Sequence, residues 1–282
     1  MINKRPDCFY KYVPADIAKV ILRERTLRWS SPLLFDDPYD VVREMAKGLE
    51  MVQIQGCIID RIIDLMLSDE DLPLGLASRL HFLVNTFRNT DQNRVREEAI
   101  EVLRESRGGS LSDGAALKAL RIMWQKMVPT FRILCLSARK DIERMWLKYA
   151  DGQKGVVLEF ACVEEVSAPW ILAKAVLYED RATLLDKVAW GKVLVLNQEE
   201  ASKCLLNESC YIKTTDWAYQ EEWRVVSFRR KRELGHYSDY GFHPRSLSAL
   251  CFGAGISDVN REEIASLLKG DLGHVRLFEC PL

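Results

Sequence analysis

The residues best suited to chemistry stand together in one late segment, where aromatic, acidic and basic side chains alternate. Residues 213–224 read Lys-Thr-Thr-Asp-Trp-Ala-Tyr-Gln-Glu-Glu-Trp-Arg. In a β-strand, alternate side chains point to the same face, so Gln220, Glu222 and Arg224 are expected to share one face. An ordinary surface ion pair explains the carboxylate and the arginine, and the pattern alone favours it. The alternative is a carboxylate held ionised in a cleft, where it would stabilise positive charge.

A second cluster is predicted on a helix over residues 141–149, with Asp141 as the expected N-cap. Its apolar side chains recur at helical spacing and form one stripe, made by Ile142, Met145, Trp146 and Tyr149. Periodicity alone favours packing of this stripe on a sheet. The alternative is a wall of two aromatic rings, Trp146 and Tyr149, against which a flat ring could stack.

Two further segments carry charge in short runs. Asp36, Asp37 and Asp40 could bind a divalent cation, but a turn followed by a helix cap explains them with fewer assumptions. A basic run at the end of a predicted strand is expected to form a solvated hairpin tip. This run is also the best local candidate for contact with the phosphates of a nucleic acid, and consists of Arg229, Arg230, Lys231 and Arg232.

Several common catalytic signatures are absent from the sequence, among them the phosphate loop, the nucleophile elbow and the zinc-protease helix. Residues 253–258 lack the third glycine of a dinucleotide fingerprint, and we interpret them as a strand-to-helix turn with a cap. The eight cysteines form no Cys-x-x-Cys pair and the four histidines are scattered. We therefore expect no metal site, and interpret the cysteines as small core residues in a reducing compartment.

Composition limits the classes of partner. Forty basic residues against 41 acidic ones give the 282-residue chain a net charge of −1, so binding of a nucleic acid would need a local basic patch. The first residues do not resemble a signal peptide, and no run approaches the ~18 apolar residues that a membrane helix needs. We expect a cytoplasmic protein that has no membrane partner.

Predicted strands lie at both ends of the chain, at residues 8–13, 27–29, 131–137, 155–160, 170–178, 222–228, 249–253 and 275–279. Residues 41–128 show helical periodicity instead and nearly lack strand signals. Strands and helices without regular βαβ alternation predict an α+β fold with a mixed, mainly antiparallel sheet. Residues 1–40 and 129–282 are expected to build this core, with residues 41–128 as a helical insertion or subdomain.

Four of these segments resemble a bacterial family, domain of unknown function twenty-nine seventy-one. They are Tyr-Lys-Tyr at residues 10–12, Ser-Ser-Pro and Asp-Pro-x-Asp within residues 30–40, Met-Trp-x-x-Tyr-Ala at residues 145–150, and Trp-x-Tyr-x-x-Glu-Trp-Arg at residues 217–224. The resemblance spans both ends of the chain and skips the helical middle. Two positions depart from it: Asp36 replaces the usual asparagine, and Gln220 stands where the family often has a glutamate, whose loss would affect activity if that residue is catalytic.

The layout of this family is similar to that of ADP-ribosyltransferases, so the resemblance implies a split sheet and an NAD-dependent ADP-ribosyltransferase-like enzyme. Cleavage of the bond between nicotinamide and ribose develops an oxocarbenium ion, which a nearby carboxylate stabilises, as in glycoside cleavage. The resemblance implies Glu222 and Tyr149 as catalytic residues. It also implies that NAD, as the substrate, is held by Tyr10, Lys11, Tyr12, Ser137, Trp146, Trp217 and Arg224.

The implied setting is a bacterial toxin or a phage-defence system, in which the enzyme modifies a protein or a nucleic acid and has a cognate antitoxin or defence partner. Two other functions stay open. One is a metal-dependent phosphodiesterase or nuclease that uses Asp36, Asp37, Asp40 and Glu222. The other is a non-catalytic binding or antitoxin module whose aromatic cluster holds a partner, which the departure at Gln220 favours.

Overall fold

The computed structural model describes residues 4–37, 40–41, 51–108, 122, 124–166, 168–179 and 187–280. The chain divides into two compact units. The sheet unit comprises residues 1–38, 128–178 and 213–282, and the helical unit comprises residues 39–127 and 179–212. Residues 179–212, which the sequence places in the α+β core, thus lie with the helical unit.

The strands are β1 (Cys8–Val13), β2 (Thr26–Ser30), β3 (Phe131–Ser137), β4 (Val156–Ala161), β5 (Lys174–Ala175), β6 (Leu177–Glu179), β7 (Ile212–Thr214), β8 (Glu222–Phe228), β9 (Tyr237–Gly241), β10 (Leu247–Phe252) and β11 (Arg276–Glu279). Among the described residues, β6 and β7 pair with each other and the other nine strands form one sheet. All described pairings in the nine-stranded sheet are antiparallel except that of β10 with β11. The prediction of an α+β fold with a mixed, mainly antiparallel sheet is confirmed.

The sheet divides at β3. Along one edge, β3 pairs with β8 over its whole length, and β8 pairs in turn with β5. The other edge of β3 is shared by two strands, because Ser137 faces Tyr10 of β1 and Ile133 faces Ser30 of β2. β1 leads on to β4, β10 and β11, whereas β2 leads on to β9.

The helices are α1 (Ala15–Glu24), α2 (Met51–Leu67), α3 (Ser78–Arg88), α4 (Asn93–Glu105), α5 (Glu143–Tyr149), α6 (Lys187–Leu194), α7 (Gln198–Cys210) and α8 (Asp258–Leu267). Apolar side chains of α1 and α8, such as Leu22 and Ile264, are buried with Phe9, Leu158 and Leu250 of the sheet in one core. Because side chains alternate along a strand, the neighbouring strand residues point to the opposite face. Part of that face is covered by α5.

The helical unit has its own apolar core. Helices α2 and α3 and the residue that follows α6 bury side chains against one another, including Ile62, Leu65, Val84, Phe87 and Val195. None of the described helices has the combination of length and hydropathy that a membrane span requires.

Three local expectations have clear outcomes. The turn at residues 253–258 is confirmed, because the Ser257 side chain caps α8 by accepting from the Asn260 N–H. The cap expected at Asp141 is wrong: Ile142 occupies the N-cap position of α5, and Asp141 forms an ion pair with Arg139 instead. The single strand expected at residues 170–178 is also wrong, because a 3₁₀ helix, Pro169–Leu172, precedes the short strands β5 and β6.

Two glycines allow the segment that follows α5 to approach the sheet closely. A Cβ atom at Gly155 would collide with the main-chain oxygen of Val13. One at Gly253 would collide with the main-chain oxygen of Gln153 and come within 2.9 Å of the Trp146 ring. The Gly253 N–H also donates to the Gly155 carbonyl at 3.0 Å, which ties the two positions together.

Candidate functional site

A buried ion pair lies at the start of β8. Glu222 is 6% exposed and Arg224 is 0% exposed. Arg224 donates from Nε to Glu222 Oε1 at 2.6 Å and from Nη2 to Oε2 at 3.1 Å. The surface ion pair that the sequence pattern favoured is therefore wrong, although the two side chains do share one face of the strand.

A second cation, Lys213, also contacts the carboxylate: its Nζ donates to Glu222 Oε2 at 3.1 Å. Burial raises the pKa of Glu222, but the charges of Arg224 and Lys213 outweigh it and hold this pKa well below its usual range. Glu222 is therefore ionised at neutral pH. A carboxylate of such low basicity is a poor general base, but it can stabilise positive charge.

Gln220 links this ion pair to the helix α5. Lys213 Nζ donates to Gln220 Oε1 at 2.8 Å, and Gln220 Nε2 donates to the Tyr149 hydroxyl at 2.9 Å. We call Lys213, Gln220, Glu222 and Arg224 the Glu222 cluster. Tyr149 is half-buried, and burial raises its pKa, so its hydroxyl is protonated at neutral pH. Because that hydroxyl oxygen accepts from Gln220, its own proton can be donated to a ligand.

Tyr178 is a second hydroxyl beside the cluster. Its oxygen accepts from the main-chain N–H of Glu222 at 2.8 Å, and burial raises its pKa. Sequence reasoning missed both Tyr178 and Lys213. Lys213 could have been found from the sequence, because it directly precedes the aromatic segment. Tyr178 could not, because it lies 44 residues from Glu222 along the chain.

Ser137, expected to hold NAD, is a buried link between main-chain segments. Its hydroxyl donates to the Gln220 carbonyl at 2.8 Å and accepts from the Arg139 N–H at 3.2 Å. Gln220 is the last residue of a 3₁₀ helix, Thr215–Gln220, and Glu221 after it has a left-handed backbone with φ of 42°. Ser137 thus fixes the turn that leads into Glu222.

The three residues of β1 that were expected to hold NAD have separate environments. Lys11 Nζ donates to the Cys135 carbonyl at 2.9 Å. The Tyr12 hydroxyl is bound on both sides, because it donates to the Arg139 carbonyl and accepts from the Ile142 N–H. Tyr10 lies beside Glu159, and burial together with that carboxylate raises its pKa to about 12.

Trp146 was expected to hold NAD, and here the structure requires a correction. Its side chain is 0% exposed, its Nε1 donates to the Lys140 carbonyl at 2.9 Å, and its ring stands edge-on to Tyr12 at 5.5 Å. It packs with Ala150 and Val157 in a small apolar cluster. No face of this indole is open to a ligand, so the core-packing interpretation describes it.

Trp217, by contrast, lies half-buried next to the Glu222 cluster. Lys213 Nζ is 4.9 Å from its ring centroid, and Lys148 Nζ is 4.1 Å away on the side of α5. Tyr219 follows at 6.1 Å between centroids, with the Arg144 guanidinium 4.0 Å above its ring. Of the two rings expected to form a wall for a flat ligand, Tyr149 adjoins the cluster and Trp146 does not.

The remaining charged candidates, Asp36, Asp37, Asp40 and the basic run, have separate environments. Asp36 forms an ion pair with Lys148 at 3.6 Å. Asp37 and Asp40 are buried, and residues 38–39 between them lie outside the described residues. Within the described ranges, no group of three or more His, Cys, Asp or Glu side chains could hold a metal ion. The basic run, residues 229–232, is exposed in the loop between β8 and β9.

One comparison with known proteins gives a match. The model of a family described as protein of unknown function (DUF2971) matches residues 145–225, less than a third of the chain. The matched part supports the resemblance stated above, and includes Trp146, Tyr149, Gln220, Glu222 and Arg224. No curated protein matches the chain, and no solved structure matches it.

Proposed function

We propose that the sheet unit is an NAD-dependent ADP-ribosyltransferase-like enzyme in which Glu222 stabilises the ribosyl cation. One observation carries the proposal: Glu222 is a buried carboxylate held ionised by Arg224 and Lys213, beside two tyrosine hydroxyls. A preorganised negative charge is what an oxocarbenium-like transition state requires. The division of the sheet at β3 supports the proposal further, because a split sheet is what the resemblance implies.

In the proposed reaction, the bond between ribose C1′ and the nicotinamide nitrogen breaks, and its electron pair leaves with nicotinamide. The acceptor then forms a new bond to C1′ and loses a proton to solvent water. Glu222 stabilises the intermediate charge but is too weakly basic to take that proton. Tyr149 can donate a hydrogen bond to the substrate, and Trp217 lies half-buried next to the cluster. The toxin or phage-defence setting and a cognate partner belong to the proposal as well.

The test is release of nicotinamide from NAD by the wild type and by Glu222→Gln. We expect a loss of at least about 100-fold, because a preorganised charge aimed at a transition state contributes on that order. The substitution also leaves Arg224 and Lys213 without their carboxylate, so thermal unfolding must be measured in parallel. Unchanged release of nicotinamide by a folded Glu222→Gln protein would exclude Glu222 as the catalytic carboxylate.

Glu233→Gln is a matched control. Glu233 also accepts several hydrogen bonds, from Ser238, Tyr240 and the Arg230 N–H, but it lies in the loop at the other end of β8. It makes the same carboxylate-to-amide change without touching the proposed site. Equal losses of activity in the two variants would indicate a general effect on stability and would contradict the assigned role of Glu222.

A non-catalytic binding module is the second candidate, and one observation favours it. Both carboxylate oxygens of Glu222 already accept from Arg224 or Lys213, so a substrate hydroxyl must share them. Calorimetry separates the two functions: the enzyme requires NAD binding together with nicotinamide release. Binding of a partner protein without any NAD binding would favour the module. No observation favours a metal-dependent phosphodiesterase, because cations already occupy Glu222.

A further inference from the structure

The loop between β8 and β9 carries four consecutive cations that are exposed, at residues 229–232. Among the described residues, none of them forms an ion pair. Some other exposed or half-buried cations of the sheet unit do form ion pairs, such as Arg139 with Asp141 and Arg28 with Asp239. We call residues 229–232 the basic tip. Its charge is left available to a partner.

The basic tip is held in place by a buried cation, Arg132 of β3. The Arg132 side chain donates to Ser238 Oγ at 2.7 Å, to the Gly235 carbonyl at 2.9 Å and to the Phe131 carbonyl at 2.8 Å. The bonds to Gly235 and Ser238 tie the β9 side of the loop to β3. Burial lowers the pKa of Arg132, which shows that the enclosed position is unfavourable for its charge.

Glu233 braces the tip from inside the loop. Its carboxylate accepts from Ser238 Oγ at 2.7 Å, from the Tyr240 hydroxyl at 2.8 Å and from the Arg230 N–H at 3.1 Å. The Arg230 guanidinium in addition lies 4.6 Å from the Tyr240 ring centroid. A braced loop loses less conformational entropy on binding than a flexible one.

The spacing of these cations selects the ligand. The four cations occupy consecutive positions, so their positive charge is distributed along the loop. They suit a chain of regularly spaced charges. We propose that the basic tip binds the phosphate backbone of a single-stranded nucleic acid, and that this strand is the acceptor of the reaction. The second part rests on the proposed function; the first part does not.

Strand β8 relates the basic tip to the Glu222 cluster. It runs from Glu222 to Phe228, so its two ends are roughly 20 Å apart at ~3.3 Å per residue. The 3₁₀ helix before β8 carries Trp217 and Tyr219, each with a cation near its ring. Rings and cations together favour a single strand, because unpaired bases can stack on aromatic side chains. A strand held at the tip could therefore extend toward Glu222.

The experiment measures fluorescence anisotropy of labelled DNA and RNA strands of about 20 nucleotides, without NAD, over a range of salt concentrations. The double variant Lys231→Gln/Arg232→Gln removes two charges of the basic tip. The control Lys4→Gln/Lys269→Gln removes two other exposed charges of the sheet unit. Each single-strand phosphate contact contributes about 0.7 to the slope of log K against log salt. We expect the tip variant to bind more weakly and to lose about 1.4 from that slope, and the control to lose none.

Three outcomes would overturn the inference. Equal slopes of log K against log salt for the tip variant and the control would show that the basic tip does not contact the strand. Tighter binding of a duplex than of the single strand would contradict the assigned class of nucleic acid. Leu234 beside the tip is 88% exposed, so binding to vesicles that contain phosphatidylserine is measured as well. Binding to these vesicles without binding to nucleic acid would assign the tip to a membrane surface. Because the assay contains no NAD, its result is independent of whether the protein cleaves NAD.

Discussion

Arg132 and Arg224 lie on the neighbouring strands β3 and β8, and both are fully buried. They sit toward opposite ends of the strand pair, since Arg132 faces Ser227 and Arg224 faces Cys135. Arg224 donates to a carboxylate, whereas the hydrogen bonds of Arg132 go to a serine hydroxyl and main-chain carbonyls. An arginine therefore braces a loop at one end of the strand pair, and another arginine holds the Glu222 carboxylate ionised toward the other end. The role of each buried arginine thus depends on the group that accepts its hydrogen bonds.

The largest effect is expected from Arg224→Met. This change leaves Glu222 buried with Lys213 as the remaining cation of the cluster, and breaking a buried ion pair costs about 3–5 kcal/mol. The measurement is the free energy of unfolding in urea. Arg276→Met is the matched control, because its ion pair with Glu159 is exposed on the arginine side and should contribute less than about 1 kcal/mol. Similar small losses of unfolding free energy in Arg224→Met and Arg276→Met would contradict the structural importance of the buried ion pair.

Arg132→Met should cost less, about 1–3 kcal/mol, because the acceptors that it leaves are neutral. The loss should appear locally, as faster cleavage by trypsin at the basic tip, whose Arg and Lys side chains would become mobile. Arg224→Met should leave that cleavage rate unchanged relative to its overall stability. A tip that stays resistant in Arg132→Met would show that Glu233 alone braces the loop.

The pH dependence of stability should also differ between variants at Arg224 and variants at Arg132. The pKa of Glu222 is lower in the folded protein than its unfolded value of about 4.3, so the unfolded chain takes up the proton first as pH falls. The stabilisation is therefore fully present above about pH 4.3 and is lost below it. The unfolding free energy of the wild type should fall more steeply below that pH than that of Glu222→Gln. Arg132→Met should keep the wild-type slope, and Arg224→Met should flatten it.

The smallest effect is expected at the edge of the cluster. Tyr149→Phe removes the acceptor of the Gln220 side chain and should cost about 0.5–1.5 kcal/mol of unfolding free energy. Nicotinamide release should fall by a larger factor than this loss of stability explains, if the hydroxyl donates to the substrate. Tyr237→Phe, at an exposed tyrosine, should stay within about 0.5 kcal/mol of the wild type. Equal activity in both variants would remove Tyr149 from the site.

Much of the sheet could be predicted, because strand residues alternate and turn residues separate them. Alternation correctly placed Glu222 and Arg224 on one face, although it misassigned Gln220, which lies in a 3₁₀ helix. It could not show that this face is covered, because periodicity in one segment carries no information about what packs on it. The surface-pair interpretation failed for that reason.

The partners of the cluster depended on contacts between distant segments. The Tyr178 hydroxyl contacts the Glu222 main chain from β6, which no local pattern encodes, and Lys213 enters through β7. Trp146 also shows that local spacing does not reveal what a side chain contacts. Its helical spacing with Tyr149 suggested a shared role, but Trp146 points into the apolar cluster while Tyr149 reaches Gln220.

The close approach of the segment after α5 to the sheet limits which residues can replace Gly155 and Gly253. At Gly155 and Gly253 the obstacle to any side chain is main-chain oxygen, which cannot rotate away as a side chain could. In a library that randomises both positions, we expect the surviving folded clones to be glycine at each. A descendant of this protein could exchange its charged groups one by one and acquire other chemistry, yet it would inherit these two residues unchanged.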